Sequence, residues 1–140
     1  MKIARRVGMV LVVLVVVRVI AGCFVPRLNI NDVTTGATPE YPELQPQAFA
    51  QSTDQVFDAA SAVARAQGWD VIEQRTAGVI QAVATTPLMH FKDDVTITIS
   101  HDGTQTKVVV RSHSRVGKGD LGTNARRIKL FQEELAKKVG

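Results

Sequence analysis

Asp94-Val95-Thr96-Ile97-Thr98-Ile99-Ser100-His101-Asp102-Gly103-Thr104-Gln105-Thr106-Lys107-Val108-Val109-Val110-Arg111-Ser112-His113 is the stretch on which the fold turns. Val95, Ile97 and Ile99 alternate with Asp94, Thr96, Thr98 and Ser100, the two-residue period of a strand with one face buried. Asp102-Gly103 is a favoured pair for a two-residue hairpin turn, and the valine-rich run from Gln105 to His113 supplies the returning strand. With Asp102-Gly103 as the turn, His101 pairs with Thr104. Ile97 then lies beside Val108, Val95 beside Val110, and Asp94 beside Arg111. The apolar pairs share one face and an Asp94–Arg111 ion pair falls on the other.

Two more strand candidates precede this hairpin, Trp69 to Arg75 and Val79 to Thr85, joined across Thr76-Ala77-Gly78. Before them, Ser52-Thr53-Asp54-Gln55 has the form of a capping box. Val56, Ala59, Ala60 and Val63 follow at helical spacing and Gly68 is a stop, which predicts a helix over 53–67. After the hairpin, Ile128, Phe131 and Leu135 form one stripe of a helix over 124–138, with Lys137 and Lys138 at the favourable end of its dipole. The expected fold is α+β: a two-layer sandwich in the order α-β-β-β-β-α, with a four-stranded antiparallel sheet and both helices on one face. No internal repeat is present.

The chain opens with a different chemistry. Met1 to Arg6 is basic, Val7 to Val17 is almost pure Val, Leu and Met, and Ile20-Ala21-Gly22-Cys23 follows, which is the order of parts in a secretory signal peptide. The tetrad resembles a lipobox, which would make Cys23 the lipidated first residue of a mature lipoprotein. Arg18 interrupts the apolar run that such processing uses. The rival reading is an uncleaved membrane anchor from Val7 to about Pro26, roughly the 20 residues needed to span a bilayer, with Arg18 costing a few kcal/mol unless it snorkels. Both readings keep Lys2, Arg5 and Arg6 cytoplasmic and place the body on the periplasmic or extracytoplasmic side of the cell envelope. From Asn29 to Gln51 the composition turns to Asn, Asp, Thr, Gly, Pro, Glu and Gln with no period. The expected division is therefore 1–26 leader or anchor, 27–51 extended polar linker, and 52–140 folded domain.

The net charge of +4 does not signal nucleic acid. Lys2, Arg5, Arg6 and Arg18 account for all of it, leaving 13 basic against 13 acidic residues from Cys23 onward. The body is polarised, however, since Arg111 to Gly140 holds 8 basic and 3 acidic residues. The lone cysteine forbids an internal disulfide.

Asp93-Asp94-Val95, Arg111-Ser112-His113-Ser114-Arg115-Val116-Gly117, Asp120-Leu121-Gly122 and Asn124-Ala125-Arg126-Arg127-Ile128 resemble the signature of the bacterial and plastid family catalogued as domain of unknown function 1499. Asn31-Asp32-Val33-Thr34-Thr35-Gly36 is similar to the segment leading into that domain in membrane-anchored members. The resemblance covers about Asn31 to the C-terminus. It implies a domain often attached to membranes and no assigned activity.

Several motifs resolve into simpler structure. Gly117-Lys118-Gly119-Asp120-Leu121-Gly122 fits G-x-G-x-x-G, but a dinucleotide site needs a further parallel strand and a distant acidic residue, so a glycine-rich turn into the last helix is expected, with Asp120 as its cap. His90, His101 and His113 lack the spacing of metal ligands, and no cofactor is indicated. Ser112, His113 and Ser114 with Asp93 invite a hydrolase reading. Yet neighbouring strand residues point to opposite faces, which keeps His113 from either serine. The leading expectation is a non-enzymatic membrane-tethered module that binds a protein or an anionic envelope component through Arg111, Arg115, Lys118, Arg126 and Arg127 near a helix N-terminus. The Ser/His/Asp hydrolase is the alternative. A third reading has these arginines only knitting the fold together.

Overall fold

The computed structural model describes residues 27–140. The first 26 residues, with the expected signal or anchor segment and Cys23, lie outside the described residues. Among the described residues, no helix is long and apolar enough to cross a membrane.

The two long strands form as expected, β5 over Lys92–Asp102 and β6 over Gln105–Ser114, but their register is not the expected one. Asp102 pairs with Gln105, Ile97 with Val110, Val95 with Ser112 and Asp94 with His113. The turn residues are therefore Gly103-Thr104. Gly103 has φ +62°, and a glycine at the first central position is what a type II′ turn requires. The correction is a slip of two residues, which leaves every side chain on the face already assigned to it. Val95, Ile97, Ile99, Val108 and Val110 are all buried. The slip does dissolve the expected Asp94–Arg111 pair, because Arg111 now stands opposite Thr96.

The sheet has six strands rather than four. β4 (Val79–Thr85) pairs with β5, and β3 (Asp70–Gln74) pairs with β4 on the outer edge. The two further strands come from the segment expected to be a polar linker: β1 (Asp32–Thr34) and β2 (Gln47–Phe49) both pair antiparallel with β6. Together they are one edge strand, interrupted where residues 35–46 loop out. At the break the Thr35 hydroxyl accepts from the Val110 amide at 3.0 Å and the Thr35 amide donates to the Val110 carbonyl. Val33, Tyr41 and Leu44 are buried, so this polar stretch is bound to the core at three points. The order is therefore β-β-α-β-β-β-β-α, with a 3-10 turn at Arg75–Ala77 between β3 and β4.

Helix α1 (Thr53–Ala66) opens with the capping box its sequence promised, since the Ser52 hydroxyl accepts from the Gln55 amide and the Gln55 side chain accepts from the Ser52 amide. It closes in a Schellman motif, with Trp69 N–H donating to Ala64 and Gly68 N–H to Arg65. Helix α2 (Thr123–Val139) buries Ile128, Phe131 and Leu135, each worth about 1.5–3 kcal/mol of transfer. Phe131 stacks on Trp69 with ring centroids 5.6 Å apart. Both helices cover the same face of the sheet, and the other face is open to solvent.

Candidate functional site

Strand alternation cuts the family-like run 111–115 into two sets. Ser112 and Ser114 point under the helices together with Asp93, whereas Arg111, His113 and Asp94 point to the open face.

Under the helices lies a closed polar network centred on Asn124, which is 0% exposed. Its Oδ1 accepts from the Ser112 hydroxyl at 2.6 Å and from Arg127 Nη1 at 2.7 Å. Its Nδ2 donates to the Ser114 hydroxyl at 2.8 Å and to the Asn31 carbonyl at 3.1 Å. Arg127 also donates to the Ser112 hydroxyl at 3.0 Å and, through Nη2, to Asp93 Oδ2 at 2.7 Å. The Arg127 and Asp93 side chains are only 10% and 3% exposed. Buried charges of this kind persist when they are paired and hydrogen-bonded, and here Arg127 meets Asp93, Asn124 and Ser112 at once. The network therefore fixes the start of α2 to the end of the sheet.

Asp120 completes that anchorage. The N-cap position itself falls to Gly122, not Asp120, but the Asp120 carboxylate accepts from the Gly122 amide and from the Asn124 amide, both at 2.7 Å, and so satisfies amides at the start of α2 from two residues ahead. The glycine-rich motif is a turn, and its middle glycine has a packing reason: a Cβ on Gly119 would collide with the Leu28 carbonyl.

On the open face, Arg111 forks onto Asp32 (Nε to Oδ1 2.9 Å, Nη2 to Oδ2 2.6 Å), and Arg115 forks onto Asp94 (3.0 and 2.6 Å). Arg111 belongs with Asp32, not with Asp94 as the sequence register had it. His113 stands directly between Asp32 and Asp94 in the cross-strand row. The hydrogen bonds from Arg111 and Arg115 hold the two carboxyls below their usual range and raise the guanidinium values in turn. All four side chains keep 40–52% of their surface exposed. Next to Asp94 and Arg115 is a shallow cleft of about 350 Å³ lined also by Asp70, Ile72, Gln81 and Val83.

The five basic residues singled out in the sequence are thus not one site. Arg111 and Arg115 lie on the open face and Arg127 is enclosed in the network. Arg126 is tied to the Leu121 carbonyl (2.9 Å) and the Thr123 hydroxyl (3.2 Å), and Lys118 is exposed on the loop after β6. Nor is a Ser-His-Asp set assembled, since both serines bond to Asn124 under the helices while His113 faces the other way. Among the described residues no cluster of three His, Cys, Asp or Glu could hold a metal.

Sequence reasoning gave no role to Asp32 or Asn124. Asp32 sat in a segment without period, and Asn124 acts through partners that only the fold brings to it. No curated protein gives a significant match. A family model described as "Protein of unknown function (DUF1499)" matches residues 25–135, and the chain belongs to that family.

Proposed function

We infer that the protein is a membrane-tethered envelope module without catalytic function, and that it binds a protein partner through the open face of its sheet. The observation that carries this is the placement of Asp32, Arg111, Asp94 and Arg115 as half-exposed forked ion pairs on the one layer that no helix covers. Exposed pairs contribute only about 0–1 kcal/mol to stability, so the fold gains little from arranging two of them side by side. Their charges cancel within each pair, which favours a protein surface of mixed charge over a polyanion. Ile72, 64% exposed, and the cleft beside Arg115 supply apolar contact on the same face. The tether is the Val7–Val17 segment, as a lipoprotein leader or an anchor, with the body outside the cytoplasm.

The test is photo-crosslinking in cells from Gln81 and Thr96 on the open face and from Glu133 on α2. The expected result is one protein adduct from the sheet positions, lost in an Arg111→Ala/Arg115→Ala variant that melts like the parent. Equal adducts from Glu133, or adducts indifferent to the double substitution, would discard the open face as the binding surface.

A further inference from the structure

Seven large apolar side chains are strongly exposed among the described residues, and five of them sit on two loops at one pole of the molecule. Leu88 (87%), Met89 (62%) and Phe91 (43%) lie on the β4–β5 loop; Val116 (61%) and Leu121 (70%) lie on the loop from β6 to α2. The loops leave the sheet side by side, because the Arg115 amide donates to the Lys92 carbonyl at their base.

Neither loop is an unstructured excursion. Thr86 closes the first: its amide donates to the Phe91 carbonyl, its carbonyl accepts from His90, and its hydroxyl accepts from the Phe91 amide at 2.8 Å. In the second, Arg126 grips the Leu121 carbonyl. Leu121 has φ +53°, a left-handed conformation that a leucine adopts only against steric resistance. Glycine would fit there at lower cost, so folding alone does not explain an exposed leucine.

The chain reaches the body at this same pole. Asn31 Nδ2 bonds the Gly117 carbonyl, the Asp120 amide bonds the Ile30 carbonyl, and Leu28 is packed against Gly119. In sequence, the Val7–Val17 run lies just ahead of this junction. Lys92, Lys118 and Arg126 are exposed around the apolar loops.

We propose that this pole is a second membrane contact: the tips of the two loops enter the headgroup region of the bilayer that holds the tether, with the lysines and Arg126 on anionic headgroups. The bilayer is the occupant the observations favour, because the tether brings it to the pole and apolar tips with Lys92, Lys118 and Arg126 on or beside the same loops and helix start match its interface. The body then stands with its Gly103-Thr104 turn farthest from the lipid and its open sheet face turned sideways, accessible to a partner. This inference rests on the tether reading above.

The test uses the full chain reconstituted in phosphatidylglycerol-containing vesicles, with tryptophan placed by Met89→Trp, Leu121→Trp or, at the far pole, Thr104→Trp. Relative to the parent, which carries only the buried Trp69, the first two should gain blue-shifted emission that brominated lipid chains quench, and Thr104→Trp should gain neither. Leu121→Gly, which relieves the backbone, should melt no lower than the parent yet weaken quenching at Met89→Trp. Water-exposed emission from all three tryptophans on vesicle-bound chain would overturn the pole contact and leave the tether standing. A full chain that does not sediment with vesicles would overturn both.

Discussion

The two faces of the sheet use the same residue types to opposite ends. Under the helices, Asp93 and Arg127 form a pair almost removed from water, bound into a network with Ser112, Ser114 and Asn124 in which each bond leans on the others. On the open face, Asp94 with Arg115 and Asp32 with Arg111 make two-pronged forks, a closer engagement than the single Arg127–Asp93 bond, with about half of each side chain in solvent. The geometry of an ion pair therefore says little about what it contributes. Burial decides, because a buried charge deprived of its partner has no water to turn to, whereas an exposed one does.

That contrast is most easily broken at Arg127. Arg127→Ala leaves Asp93 buried without a counter-charge and should cost about 3–5 kcal/mol in urea unfolding. Asn124→Ala takes the acceptor from the Ser112 hydroxyl, the donor from the Ser114 hydroxyl and one acceptor from Arg127. It should cost about 1–3 kcal/mol, and hydrogen exchange should show the first turn of α2 opening early. Arg111→Ala and Arg115→Ala should each shift stability by no more than about 1 kcal/mol, while abolishing partner adducts from the open face.

The smallest effect is the pH dependence. Asp32 and Asp94 titrate below their unfolded values, so their stabilisation is complete above the ordinary carboxylate range near pH 4 and is lost as pH falls through the lower folded values. Asp32→Asn/Asp94→Asn should flatten that part of the acid limb, read by unfolding between about pH 5 and 2, and change little at neutral pH.

The sequence was most legible where a pattern ran long. Ten or so residues of alternation gave β5 and β6 their faces, and the box at Ser52 and the stripe through Ile128, Phe131 and Leu135 gave both helices. The hairpin register failed because Asp102-Gly103-Thr104 admits two turns whose pairings differ by two residues, and both bury the same valines and isoleucines. β1 and β2 were invisible for a different reason: at three residues each, with one buried side chain in β1 and none in β2, they have no period, and β6 imposes their conformation. The candidate site divided in the same way. Alternation alone separated His113 from its serine neighbours. The Asn124 network was hidden because it depends on where the glycine-rich turn delivers α2, and the partnership of Arg111 with Asp32 joins residues 79 positions apart.

The claim that the two faces carry different duties is tested most directly by two adjacent residues of one type. Asp93→Ala and Asp94→Ala, compared by equilibrium unfolding at neutral pH, make the same chemical change one position apart on opposite sides of the sheet. Asp93→Ala should lose about 3–5 kcal/mol and Asp94→Ala no more than about 1 kcal/mol. Equal losses, or the larger loss at Asp94, would contradict that claim.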